Sequence, residues 1–349
     1  MDILSGSVLT EDGIICGYVC IEKGVVSAIE EGAPPGAPLA KGLIVPPLVN
    51  SHTHCADIGL RVPRGMSIEK LVAPPDGLKH IYLRELDAPS LEKNIRSFAD
   101  ISRSNGIGAF IDFREGGAAG CKALRKAAPE AVILGRPLKS EYDHEEISEI
   151  LGIADGIGIS GISDMDRGYI EKIADQTREA GKMFAIHASE RKREDIDLIL
   201  SLDPAFVVHM TEATDSDLLK CAESEVPIVV CTRSNQYFGK VPPVKRMLGC
   251  GAEVAMGTDN AMLCEPDMRS EAYAFADVLV SQGGSADDAA DPMLKNGRKL
   301  LYPHKKIHVS AGMAAELTVL PYTGEFRIGG VLKNRDPVFR YKPKSGEER

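Results

Sequence analysis

The sequence predicts an α/β protein, a TIM-type (β/α)8 barrel with a small β-sandwich built from both chain ends. Two observations carry the barrel. Short apolar runs alternate with helical patterns through the middle of the chain, and eight such runs can be counted. A third observation carries the sandwich: both ends are β-like runs cut by glycine and proline.

Residues 1–45 hold β-like runs at 3–4, 6–10, 17–21 and 25–29, with Asp12-Gly13 and Lys23-Gly24 as turn signals between antiparallel strands. A Pro/Gly-rich stretch at 32–38 marks a break. The barrel strands are then expected at 43–48, 107–113, 132–134, 156–162, 183–187, 206–209, 227–231 and 253–257. Helices are expected between them, among others at 90–104, 145–151, 167–180 and 215–221. From about 308 the β texture returns at 316–320, 326–328 and 337–341. The expected units are therefore 1–45 with 308–349 for the sandwich and 46–307 for the barrel.

Composition narrows the function classes. With 44% hydrophobic and 26% charged residues, the 349-residue chain has the balance of a globular protein with a large core. A formal net charge of −10 disfavours a nucleic-acid partner, which needs a basic face, and no tryptophan is available for base stacking. The eight cysteines form no C-x-x-C pair, so zinc-ribbon and thioredoxin readings lack support. No signal segment or long apolar run is visible, so no membrane partner and a cytoplasmic location are expected. A homo-oligomer is left open.

The chemistry-bearing residues sit where the barrel strands end. His52-Thr-His54 follows the first expected strand, and residues two apart on an extended chain face the same way. His187 closes the run 184–187, His209 closes 206–209, and Asp259 follows the last run. Barrels of this type gather their active sites at the carboxyl ends of the strands, so these side chains converge. Nitrogen and oxygen donors in such a set suit a divalent metal, Zn2+ with Fe2+ as the alternative, with a position open for water. A metal brings the pKa of water from about 16 towards 7, and a nearby carboxylate can act first as base and then as acid.

His52-x-His54, His187, His209 and Asp259 resemble, in order and strand placement, the site of the amidohydrolase superfamily. The similarity spans nearly the whole chain. His187-Ala-Ser-Glu190, Cys231-Thr-Arg-Ser-Asn235 and Gly257-Thr-Asp-Asn260 bring it nearest to the branch of cytosine deaminases, S-adenosylhomocysteine deaminases and chlorohydrolase-like enzymes. The resemblance implies that His52, His54, His187 and Asp259 bind one metal. It also implies that Glu190 shuttles protons, that His209 orients and polarises the attacking water, and that Asp259 accepts a proton from it. Relatives with two metals bridge them by a lysine on the fourth strand; here 156–162 has none, so one metal is expected.

The reaction so implied is deamination of a small amino-substituted heterocycle (a purine, pyrimidine, pterin or nucleoside-like ring) with release of ammonia. Hydrolysis of a cyclic amide or of a chloro- or thio-substituted ring could use the same site, and a catalytically silent metal-binding barrel is a further alternative. Arg114 and Arg136, after the second and third strands, and Arg233 and Asn235, after the seventh, are candidates for holding substrate. Arg114 and Arg136 suit surface salt bridges equally well. The long first βα loop, from Cys55 to about Pro89, has the length of a lid. Gly156-x-Gly158-x-x-Gly161 spells a dinucleotide fingerprint but lies within an expected strand, where small residues widen the barrel interior instead. His80, His144, His304 and His308 have polar neighbours and read as surface or structural.

Overall fold

Left-handed turns fold the N-terminal segment into a meander: Gly13 has φ 120°, Lys23 φ 50° and Gly24 φ 74°. They join strands β1 (Asp2–Thr10), β2 (Gly13–Glu22) and β3 (Val25–Glu31), paired antiparallel as the turn signals required. Strand β4 (Ala40–Val45) then lies parallel to β1. The computed structural model describes residues 1–63, 65–73 and 76–343. Pro74 and Pro75 of the first long loop, and residues 344–349 of the expected C-terminal unit, lie outside the described residues.

Pro46 and Pro47 separate β4 from β5 (Leu48–His54). Proline lacks an N–H and cannot continue a ladder, so the single strand expected at 43–48 is split. Its first part joins the terminal sheet, and the barrel strand starts at Leu48. The histidine pair is therefore inside a strand rather than after it.

The parallel strands continue as β6 (Ile107–Arg114), β7 (Ala131–Gly135), β8 (Gly156–Ile159), β9 (Met183–Ala188), β10 (Phe206–His209), β11 (Ile228–Val230), β12 (Val254–Met256) and β13 (Asp259–Asn260). Their order, β12-β11-β10-β9-β8-β7-β6-β5-β13, makes one curled nine-stranded sheet with helices between the strands, a TIM-like arrangement. Only Gly257 and Thr258 separate β12 from β13. Segment 254–260 thus pairs with β11 at its start and with β5 at its end.

Two layers of core follow from strand alternation. Phe113, Leu134, Ala185, Phe206 and Val208 pack together inside the curl, whereas Ile157, Ile186 and Val207 face the helices. Gly156 and Gly158 are small because of close neighbours: a Cβ on Gly156 would sit 1.9 Å from Met183 O, and one on Gly158 would sit 2.8 Å from the Phe113 ring. The helix Ala88–Ser104 is typical of the outer layer. Asp87 caps it by accepting from Ser90 N, and Ile95, Phe98 and Ala99 form its buried stripe.

The chain returns through β14 (Leu317–Leu320), antiparallel to β4, and β15 (Phe339–Tyr341), antiparallel to β14. Both termini therefore build one six-stranded mixed sheet, β15-β14-β4-β1-β2-β3. Among the described residues hydrogen bonds join these strands into a single sheet, whose edge strand β3 also bridges from Val25 to Ala314. The β reading of 326–328 is also corrected. Ile328–Lys333 is a helix, because Ile328, Val331 and Leu332 fall on one helical face and are buried together. No helix among the described residues is long and apolar enough to cross a membrane.

Candidate metal centre

His52 and His54 project from β5 to the same face, and their ring centroids lie 5.0 Å apart. Gly257 lets segment 254–260 come close, since a Cβ there would lie 2.7 Å from His52 Cβ. His187 continues the inward series of β9 after Ala185; its ring centroid is 4.9 Å from that of His52.

His209 and Asp259 need more than alternation. Val208 already points inward, so the next residue on a regular strand would point out. A φ of 80° at His209 re-aims it, and its ring stacks on His187 with centroids 5.4 Å apart. Asp259 has φ 58°, and Ser189, beside Glu190, has φ 47°. Such backbone conformations are costly for residues with a Cβ, and here they gather around one cluster of side chains.

The donors fit a metal. His52, His54 and His187 each offer a nitrogen within 4.8 Å of the others, and the nitrogens of His52 and His209 and a carboxylate oxygen of Asp259 form a second such group. His52 is fully buried, yet neither ring nitrogen has a hydrogen-bond partner among the described residues, a condition that buried polar groups rarely tolerate. Burial lowers the pKa of His52, drives His54 down to about 3 and holds His187 well below the usual imidazole range. The rings are therefore neutral, as ligation requires. Burial would raise the Asp259 carboxyl, but its contact with His52 and the nearness of His209 and His54 hold it well below the usual carboxylate range. Ser234 Oγ donates to Asp259 Oδ2 at 2.5 Å.

Glu190 faces this cluster, with Oε1 3.6 Å from His209 Nε2, and burial raises its pKa above the ordinary value. Asn235 Nδ2 lies 3.3 Å from His209 Nδ1. The amide nitrogen can only donate, so Nδ1 accepts and the ring hydrogen sits on Nε2, towards Glu190.

One cavity opens beside these groups, lined by His54, His187, Glu190, His209 and Asp259 together with Val72, Ala73, Lys79 and Arg136. The first βα excursion thus supplies part of the wall, through the helices Ile68–Val72 and Leu78–Glu85. Arg136 lines the cavity and bonds Ser160 Oγ. The other three candidate substrate contacts are not among the lining residues. Arg114 is 1% exposed and bonded to Glu115; Arg233 is bonded to Glu271; Asn235 is buried against His209.

Sequence reasoning passed over Glu115, Lys79 and Ser234. Ser234 lay within a stretch already singled out, and only the helical turn Thr232–Tyr237 decides that it, not Arg233, meets Asp259. Glu115 directly follows Arg114 at a strand end, the placement that marked the other site residues. Lys79 gave no signal, because a lysine in a polar loop reads as solvated.

No family model matches the chain. Among curated proteins, it is 35% identical over 290 residues to an uncharacterised protein of Methanocaldococcus jannaschii, covering 76% of this chain and 73% of that one. It is 33% identical over 283 residues to a proposed aminohydrolase of Archaeoglobus fulgidus, covering 81% of each. A 5-methylthioadenosine/S-adenosylhomocysteine deaminase of Moorella thermoacetica is 28% identical over 178 residues, 44% of this chain and 41% of the deaminase. Among solved structures, Helicobacter pylori aminofutalosine deaminase superposes with a TM-score of 0.75 at 14% identity, over 98% of this chain and 99% of that one, a likeness of fold.

Proposed function

Because the chain belongs to the amidohydrolase superfamily, we propose that it is a metal-dependent hydrolase that deaminates an amino-substituted heterocycle and releases ammonia. The observation that carries this reading is two donor groups that share His52, one with His54 and His187 and one with His209 and Asp259, beside a cavity that Glu190 helps to line. A deaminase name on one relative supports the reaction type.

His52, His54, His187 and Asp259 would hold a single divalent ion, Zn2+ or Fe2+, and when bound it supplies the Lewis acidity that makes hydroxide available at neutral pH. The remaining work falls to the chain's own side chains. Glu190, with its carboxyl pushed up by burial, takes a proton from the attacking water and returns it to the ring nitrogen. His209 Nε2, 3.6 Å from Glu190, orients that water and steadies the developing charge. Asp259, held ionised, takes the second proton of the water and passes it to the departing amine, which leaves as ammonia. Arg136, which lines the same cavity, presents donors to a carbonyl or anionic group of the substrate.

Ammonia release from a panel of amino-purines, amino-pyrimidines, amino-pterins and their nucleosides tests the reading. Turnover of one of them, lost on chelation and restored by Zn2+, is the expected result. Turnover confined to cyclic amides or halogenated rings would replace deamination with the other hydrolytic reaction.

A further inference from the structure

The ring nitrogens that face away from the ligand set are held in different ways. His187 Nδ1 lies 2.8 Å from Ile159 O. A carbonyl oxygen can only accept, so this Nδ1 carries the hydrogen and Nε2 carries the lone pair. His54 Nδ1 lies 3.1 Å from Phe113 O, which fixes the same tautomer, but it also lies 2.9 Å from Glu115 Oε1. His54 Nε2 is left 3.6 Å from Asp259 Oδ1, turned towards the ligand set. Of these two rings, only His54 has a carboxylate oxygen beside its Nδ1, a charge that makes it the more electron-rich donor.

Glu115 is held for this contact. It is 8% exposed and absent from the cavity wall, and Arg114 Nη2 donates to its Oε2 at 2.9 Å. Lys79 Nζ sits 2.8 Å from Oε1 and donates to Asn260 Oδ1 at 3.1 Å, beside Asp259. Lys79 is itself 2% exposed, on the helix Leu78–Glu85 of the first excursion. One amine thus pins that helix to the ends of the second and last barrel strands.

Resting on the metal-centre reading above, we propose that Glu115 is a positioning residue for His54, fixing which ring nitrogen faces the ion and how tightly the ion is held, with Lys79 holding Glu115 in place. A carboxylate behind a histidine ligand raises its basicity and locks its ring, and losing such a partner typically weakens metal affinity about 10–100-fold. Glu115→Gln keeps the shape and an acceptor oxygen but removes the charge. Lys79→Met leaves the contact between Glu115 and His54 and removes only its support.

The test is Zn2+ affinity of the full chain by chelator competition, together with the visible spectrum of the Co2+-loaded protein. Glu115→Gln should weaken Zn2+ binding roughly 10-fold or more and shift the Co2+ absorption bands, and Lys79→Met should have a smaller effect in the same direction. A residue that merely stabilised the fold would lower the unfolding midpoint without moving the Co2+ spectrum. If Glu115→Gln leaves a buried cation unpaired and does not fold, Lys79→Met/Glu115→Gln removes both partners and carries the same comparison. Wild-type protein that binds Zn2+ while Glu115→Gln binds it within twofold and with an unchanged spectrum overturns the proposal alone. Wild-type protein that takes up no divalent ion overturns the metal-centre reading and this proposal with it.

Discussion

His52 Nε2 lies 3.4 Å from Asp259 Oδ1, although the two residues stand on the first and last parallel segments in chain order. The same contact region is where β13 pairs with β5, Asp259 against Thr53. Asn50 ties it further, donating to Thr258 Oγ1 at 2.7 Å and accepting from Thr258 N at 3.0 Å. The candidate ligands His52 and Asp259 therefore meet where the sheet's two ends join.

Glu190→Gln separates chemistry from metal binding. The amide cannot carry the proton that the carboxyl moves, so turnover should fall by about 10²–10⁴-fold. Metal content per chain should stay unchanged, because Glu190 lies beside His209 and outside both groups of candidate ligands. Ammonia release and metal analysis on the same preparation check both. Unchanged turnover would remove Glu190 from the mechanism.

Gly156→Ala tests the packing between β8 and β9. The new Cβ would fall 1.9 Å from Met183 O, and a backbone atom in a ladder cannot step aside cheaply. Destabilisation of at least about 1–3 kcal/mol is expected, read from denaturant midpoints. Gly152→Ala is the control. It meets nothing nearer than 3.4 Å and should stay within about 0.5 kcal/mol of wild type.

Asp217 gives a pH-dependent prediction away from the site. Arg193 Nε and Nη2 donate to its two oxygens at 2.7 and 2.8 Å, and Thr214 N donates as well, holding its pKa at about 2. The folded value lies below the ordinary aspartate value, so the contribution is complete above about pH 4 and is lost as pH falls towards 2. Arg193 is 57% exposed, so solvent screens part of the pair. Asp217→Asn should cost about 1 kcal/mol at pH 7, and its deficit against wild type should shrink below about pH 3. A deficit independent of pH would assign the effect to helix capping alone.

Much of this was legible in the sequence because it depends on spacing. The alternation of apolar runs and helices gave the parallel strands, and residues at the ends of those runs gave the histidines and Asp259. What escaped depends on local backbone events that a pattern does not encode. Pro46-Pro47 moved the start of the first barrel strand, and the left-handed φ at His209 turned inward a side chain that alternation would send out. Arg114 shows the same limit from another side. Its place at a strand end suggested a substrate contact, but Asp112 and Glu115 draw it into the protein at 3.7 and 2.9 Å. Lys79 was invisible because its burial comes from where the first excursion packs.

The metal content of the purified chain, measured by elemental analysis alongside His52→Ala, tests the central claim most directly. One divalent ion per wild-type chain, lost in His52→Ala and accompanied by a lower unfolding temperature after chelation, is the result expected from a shared ligand set. No bound ion in the wild type, or an ion retained in full by His52→Ala, would contradict it.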